Sequence, residues 1–500
     1  MSADATPATA RPRAGDVPFT PAGRPFWTLG RVAEALADVV RGDAPTGAGE
    51  LRRVSTDTRS AGAGDLFVAL VGEKFDAHDF LADAVSRGAA AVVVSNPGAA
   101  ASLGVPVYLV PDTLVALGRL ARYRRRAWGR PVIAVAGSNG KTSTKDMLAA
   151  ALRSVLQVHA STGNMNNQVG VPLTLLALPD AADVAVVEMG TNMPGEVALL
   201  RAIGEPDIAI VTSIGEEHLE GLGDLAGVLR EEAAVFDGVP VAVTPASQPE
   251  VAEAARPKAM RVIQAGLDDG DVRAATWELA PDGLGMVELD GVTVRPPLRG
   301  AHNLRNAMLA LAAARECGVS VTDAARGIAA MPQPSMRMAF ENVGQALLVN
   351  DAYNANPASA RAAIELLAGM GAGRQRVLVL GSMRELGVHA DAMHDDVARA
   401  ALAAPVDVIA AAGDFVPAFA RVGGGDARVV AAPDVDALWA ALAPRLAPDA
   451  VILLKASRGM RLERMVPHVT AWATGGAKSE PNDGAAPAAA GSGGAPPPGM

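Results

Sequence analysis

Short apolar runs alternate with alanine- and leucine-rich segments along most of this chain, the sequence form of a parallel sheet whose strands are joined by helices. The runs Val132 to Ala136, Val184 to Val187, Ile208 to Thr212, Arg376 to Leu380, Val408 to Ala412 and Val451 to Leu454 predict buried strands of such a sheet. Two interruptions divide the pattern. One is a basic run, RYRRR at Arg122 to Arg126, which reads as a solvated helix face beside a boundary; the other is Met331-Pro332-Gln333-Pro334, where two prolines oppose both helix and ladder. The expected organisation is a leader over 1–26, an α/β block over 27–127, a central block over 128–332, a third over 333–474 and a tail over 475–500. The leader lacks an apolar segment, and the tail is too poor in large apolar residues to order itself.

Composition narrows the function classes. The 500 residues allow about three domains of ~150 residues. No apolar stretch reaches the ~18 residues of a membrane span, so no membrane span is expected. A net charge of −10 argues against a nucleic-acid partner. The single cysteine, Cys317, excludes an internal disulfide framework and fits a reducing, cytoplasmic setting; its surroundings read as a helix end and a buried small side chain.

Chemistry enters at residues 131–146, PVIAVAGSNGKTSTKD. A strand runs into a turn bracketed by Gly137 and Gly140, then into a helix from about Thr142, so the amides of Gly137, Ser138, Asn139 and Gly140 can converge on phosphate oxygens. Lys141 would neutralise the terminal phosphates, and the hydroxyl of Thr142 or Ser143 would reach Mg²⁺. The loop is a short variant, with Val135 where the full pattern has its first glycine. Glu188 ends one strand run and His218 follows another, the position at which parallel sheets present ligand-binding side chains; together they can hold a divalent metal.

Further segments carry a family resemblance. GSNGKTSTKDML, TGNMNNQVGVPLTLL, VVEMGTNMPGE, TSIGEEHLEGLG, GAHNLRNAMLA, DAYNANPAS, GSMRELG and KASRGMRLE, spread over about residues 27 to 470, together resemble the Mur ligases of peptidoglycan synthesis. The resemblance implies three α/β domains: a smaller N-terminal uridine-nucleotide substrate domain, a central phosphate-loop ATPase with a mostly parallel sheet, and a C-terminal Rossmann-like domain. It implies an ADP-forming ligase using ATP and Mg²⁺ through an acyl phosphate. DAYNANPAS and GSMRELG look like the branch that adds D-alanyl-D-alanine to UDP-N-acetylmuramoyl-tripeptide, with monomer as the implied state.

Site residues follow from the same resemblance. Lys141, Glu188, His218 and Arg337 would act at the reacting phosphate; His302, Asn303 and Asn306 resemble positions that meet adenine and ribose; Arg337 and Asp351 resemble residues that close over ATP. Asp57, Arg59, Phe75, Asp76 and His78 would meet the nucleotide-linked substrate, and Asn164, Asn166 and Asn167 would also be substrate-binding. Tyr353, Asn354, Asn356, Lys455, Ser457 and Arg458 would line the dipeptide side.

One departure stands out. Fourteen residues after the histidine, where the family commonly has a lysine that becomes a carbamate and binds the second metal, the chain has Glu232. Glu232, or its neighbour Glu231, could supply the oxygens directly, making a metal set of Thr142, Glu188, His218 and Glu232 that needs no CO₂; the other reading of REE is a solvated helix face. Ser213 and Ala77 replace an amide and a glycine of the family pattern. The alternatives are a sister ligase adding one amino acid, of Mur or folylpolyglutamate synthase type, and a non-catalytic nucleotide-binding partner.

Overall fold

The computed structural model describes residues 25–100, 103–332 and 336–475. The expected leader and tail fall outside the described residues except for Pro25, Phe26 and Gly475, as do Gln333 and Pro334. Phe26 corrects the leader boundary: its ring meets Trp27 edge-on at 4.9 Å and lies 4.5 Å from the Arg124 guanidinium.

The alternation of strand and helix produces three sheets in chain order. In the first, Val54–Ser55, Leu66–Val68, Ala91–Val94 and Val107–Leu109 pair in sequence, all parallel. The central sheet has seven parallel strands and the order Val272–Arg273, Arg261–Gly266, Val241–Pro245, Ile208–Val211, Val132–Ala136, Val184–Glu188, Val158–Ala160. The third is mixed: Ala339–Val343 runs antiparallel to Ala346–Asp351, which continues in parallel through Val451–Lys455, Arg376–Leu380, Val408–Ala411 and Val429–Ala431. A separate antiparallel meander, Thr276–Leu279, Gly285–Leu289 and Val292–Val294, follows the central sheet.

Burial on both faces explains why the strand runs are continuously apolar instead of alternating. Ile133 and Val135 enter one core of the central sheet, with the helix Ala301–Glu316; Val132, Ala134 and Ala136 enter the other. Val132–Ala136 lies between Val184–Glu188 and Ile208–Val211. The connections therefore leave to opposite sides of it, and a crevice opens at the carboxyl ends of these three strands. Among the described residues no helix is long and apolar enough to cross a membrane.

The basic run is not a solvated face. It lies in the helix Thr113–Trp128, which gives Leu117 and Leu120 to the core of the first sheet and Ala121 and Trp128 to a core of the central one. Arg124 and Arg125 point inward: Arg124 donates to Leu178 O and Asp180, and Arg125, 0% exposed, donates to Gly204 O, Glu205 O and Asp207. Sequence shows the charges but not the carbonyls at a helix end that accept from them. Replacing Arg125 with methionine is expected to cost about 3 kcal/mol, because it strands acceptors that the guanidinium satisfies. A fall in the thermal midpoint of the variant checks this, and an unchanged midpoint would contradict it.

Candidate active site

The phosphate-loop segment forms at the predicted place, with the strand Val132–Ala136 followed by the helix Lys141–Arg153. Its two glycines are required for different reasons. Gly137 has φ +113°, and a Cβ there would sit 2.5 Å from Thr212 Oγ1; Gly140 has φ +87°, and a Cβ would lie 2.6 Å from the Asn306 amide oxygen. Ser213, the replacement for an amide, accepts from Asn139 N–H and donates to Asn139 O, both at 3.1 Å, so it holds the loop in its own way. Thr142 and Ser143 open the helix and line a cleft of about 890 Å³ that lies between the central and third sheets.

Lys141 is the electrostatic centre. Its ammonium donates to Gly137 O and to Ser138 O (3.1 Å) and lies 3.4 Å from Glu217 Oε1. Burial disfavours its charge, but Glu217, Glu232 and Glu188 outweigh that and raise its pKa. Glu217, a cleft residue only 5% exposed, was missed in the sequence. The signal available was its place beside His218 in GEEH. Burial raises its pKa against the pull of Lys141 and His218.

Glu188 ends its strand inside the cleft, 2% exposed. Oε1 accepts from the Asn166 amide at 2.9 Å, while Oε2 has no hydrogen-bond partner and lies 4.0 Å from Lys145 Nζ. His218 occupies a left-handed conformation, φ 52°, with Nδ1 against Glu385 and Nε2 3.8 Å from Glu217. Burial opposes its charge, and Glu385 and Glu217 more than restore it, raising the pKa. Asn164 and Asn167 share the cleft, as do His302, Asn303 and Asn306 on the opposite helix. Burial drives His302 down to about 4, leaving a neutral ring suited to a neutral base or sugar.

The third sheet closes the other side. Arg337 lies 4.0 Å over the Tyr353 ring, and Asp351 accepts from Met338 N–H and from Lys455 at 2.6 Å. Asn354 and Arg458 also face the cleft. Lys455 additionally binds Asn354 O at 2.9 Å. Ser457 and Asn356 do not line it: Ser457 donates to Ala355 O, and Asn356 caps the helix Pro357–Gly369 while donating to Asn139 Oδ1 at 2.9 Å. That bond joins the third sheet directly to the phosphate loop. Arg361 with Glu216, at 2.8 Å, adds a second link.

Two groups lie apart from the cleft walls. Asp57 and Arg59 pair with each other at 2.7 Å in the first block, Phe75 is 74% exposed, and His78 is buried with Nδ1 on Asp76 and Nε2 accepting from Ser95 N–H. Both ring nitrogens of His78 are thus engaged within the block. Glu232 sits behind the loop, fully buried, accepting from Gly137 N–H at 2.7 Å with Oε1 unpartnered; burial pushes its pKa up to about 7. Glu231 caps another helix by accepting from Gly195 and Val197 N–H, so neither carboxylate is the solvated face that REE could have been. Among the described residues no three His, Cys, Asp or Glu side chains converge as a ready metal set. The structure therefore does not gather Glu188, His218 and Glu232 into one. Cys317 ends the helix Ala301–Glu316 as expected, half-buried, its thiol pushed up to about 12 by burial.

Comparison with known proteins gives three matching family models: Mur ligase family, catalytic domain, over residues 50–125; Mur ligase middle domain, over 135–314; and Mur ligase, glutamate ligase domain, over 336–458. The UDP-N-acetylmuramoyl-tripeptide–D-alanyl-D-alanine ligase of Escherichia coli is 35% identical, covering 86% of this chain and 96% of that protein. Its Bacillus subtilis counterpart is 33% identical, covering 87% and 97%. Among solved structures, MurF from Acinetobacter baumannii superposes with a TM-score of 0.81 at 32% identity, covering 89% of this chain and 98% of that one. MurF from Thermotoga maritima in complex with ADP gives 0.75 at 26% identity, covering 85% and 98%.

Proposed function

The chain belongs to the Mur ligase family, and we propose that it joins D-alanyl-D-alanine to UDP-N-acetylmuramoyl-tripeptide at the expense of ATP, releasing ADP and phosphate. The relatives named for this reaction match nearly end to end, and one was solved with ADP. The observation that carries the mechanism is the single cleft in which Lys141, Glu188 and His218 of the central sheet face Arg337, Asn354 and Arg458 beside the third. We place the reaction in the cytoplasm, with the chain acting as a monomer.

The chemistry needs no protein nucleophile. An oxygen of the tripeptide carboxylate attacks the γ-phosphorus, the bond to the ADP oxygen breaks, and an acyl phosphate forms. The dipeptide amine then attacks the acyl carbon, the carbon–oxygen bond to phosphate breaks, and the amine's proton leaves with the departing phosphate as the amide forms. Each step moves negative charge between oxygens, so cations held in place and water kept out supply the catalysis. Lys141 takes the charge on the transferring phosphoryl group, and His302 and Asn306 lie where the nucleoside would rest. Arg337, stacked on Tyr353, approaches from the third sheet and completes the cleft only when the two sheets are together.

The donor set also fits Mg²⁺. Glu188 has an unpartnered oxygen, the Thr142 hydroxyl faces the same cleft, and His218 Nε2 has no protein partner nearer than Glu217. Thr142 and Glu188 would hold one ion and the His218 nitrogen would be left to another, supplying charge neutralisation at the phosphates.

The deciding assay measures phosphate release from ATP with the nucleotide-linked tripeptide and either D-alanyl-D-alanine or single amino acids. Release that requires the tripeptide and the dipeptide together is expected. Release driven by a single amino acid would make the chain a sister ligase, and none with any pair would make it a binding protein. Because Glu232 cannot form a carbamate, activity is also expected to stay within about twofold when bicarbonate is added to CO₂-depleted buffer. A strong stimulation would contradict this.

A further inference from the structure

Glu217 is a carboxylate of the cleft that the mechanism above leaves without a task. It lines the cleft, whereas Glu232 lies behind the phosphate loop with one oxygen committed to Gly137 N–H. The two oxygens of Glu217 face different partners: Oε1 is 3.4 Å from Lys141 Nζ and Oε2 is 3.8 Å from His218 Nε2. Neither distance is that of a close ion pair, and Lys141 is already held by two carbonyls.

The segment bearing it is fixed from several sides. The Gln248 amide bonds both Ile214 N–H and Ile214 O at 2.8 Å, Gly215 N–H donates to Ser138 Oγ, and His218 is held at positive φ, a costly conformation that the surroundings must enforce. Of the acidic side chains lining the cleft, Glu196 accepts from Asn192 and Met193 N–H, Asp351 from Lys455, and Glu385 meets His218, which leaves Glu217 and Glu188, the latter with a buried oxygen that has no hydrogen-bond partner. A polyphosphate entering beside them adds further negative charge, which a divalent cation held between carboxylate and phosphate oxygens offsets. Mg²⁺ commonly takes one or two protein ligands and completes its shell with phosphate oxygens and water, so a pair of side chains suffices where a closed set of three is absent.

We propose that Glu217, paired with His218, supplies the protein's oxygen ligand to a second divalent cation of the nucleotide site, and that Glu232 instead braces the phosphate loop through Gly137. This assignment rests on reading the cleft as the ATP site. It gives the chain an anionic ligand without carbamate chemistry, and it places that ligand one residue before the histidine instead of fourteen after it.

Mn²⁺ titrated into the full chain with a non-hydrolysable ATP analogue, followed by the electron paramagnetic resonance of free Mn²⁺, tests this without turnover. The wild type is expected to bind two ions. Glu217→Gln should keep the first and weaken the second by at least about tenfold. Glu217→Asp, which retains the charge on a shorter arm, should fall between them, and Glu232→Gln should still bind two. Wild-type affinity for both ions in Glu217→Gln and Glu217→Asp, or loss of the second ion in Glu232→Gln alone, would overturn the assignment. A wild type that binds no Mn²⁺ with the nucleotide would overturn the reading of the cleft itself.

Discussion

Replacing Lys141 with methionine is expected to lower kcat for ligation by about a thousandfold, the scale for removing a preorganised charge from a water-poor site. The ammonium is placed by Gly137 O and Ser138 O and faces Glu217, so its geometry is set before substrate arrives. Methionine keeps most of the unbranched apolar stem, one atom shorter, and removes the charge and its donors. Arginine should not rescue, since its planar fork cannot occupy a pocket shaped by two carbonyls on one turn of loop. The loss should appear in kcat more than in the KM for the dipeptide, because Lys141 acts on the phosphoryl group. Single-turnover phosphate release separates the two, and a K141M enzyme within tenfold of wild type would remove Lys141 from the mechanism.

The fold was readable because its strands are buried on both faces. Arg376–Leu380 and Val132–Ala136 occupy the expected residues, and the other runs differ by a residue at their ends. Short strands such as Val54–Ser55 and Val158–Ala160 gave no comparable signal, since two or three residues cannot establish a period. The buried arginines were misread for a related reason. A one-dimensional pattern counts charge at a position, whereas Arg125 is inside because carbonyls at 204 and 205, some eighty residues away, need donors.

The site shows the same division. Lys141, Glu188 and His218 meet in one cleft because each stands at a strand end or loop of the parallel sheet, a placement that the local sequence shows. Asn356 looked like a substrate residue, but its amide is spent on a helix cap and on Asn139, a partner 217 positions earlier. Glu217 was hidden by its neighbour: in GEEH the first glutamate pairs with Arg361 and the second turns into the cleft. Only the backbone conformation at His218 and the anchoring of Ile214 by Gln248 separate their directions.

Glu188→Gln is the second change expected to be severe, lowering kcat by about a hundredfold at ordinary Mg²⁺. The side chain is buried at the end of the strand Val184–Glu188, and its backbone N–H donates to Ser161 Oγ, so its position is fixed by the sheet and should survive the substitution. Glutamine can still offer an oxygen to the Asn166 amide, which preserves that bond. What disappears is the charge on the oxygen that has no hydrogen-bond partner, the one available to a cation. Raising Mg²⁺ should therefore recover part of the activity, because weaker binding is offset by mass action, while the thermal midpoint changes little. A purely structural role would give the opposite result, a lowered midpoint and a defect that no concentration of Mg²⁺ relieves. Measuring kcat across a Mg²⁺ titration beside a thermal scan of the same preparation distinguishes the two.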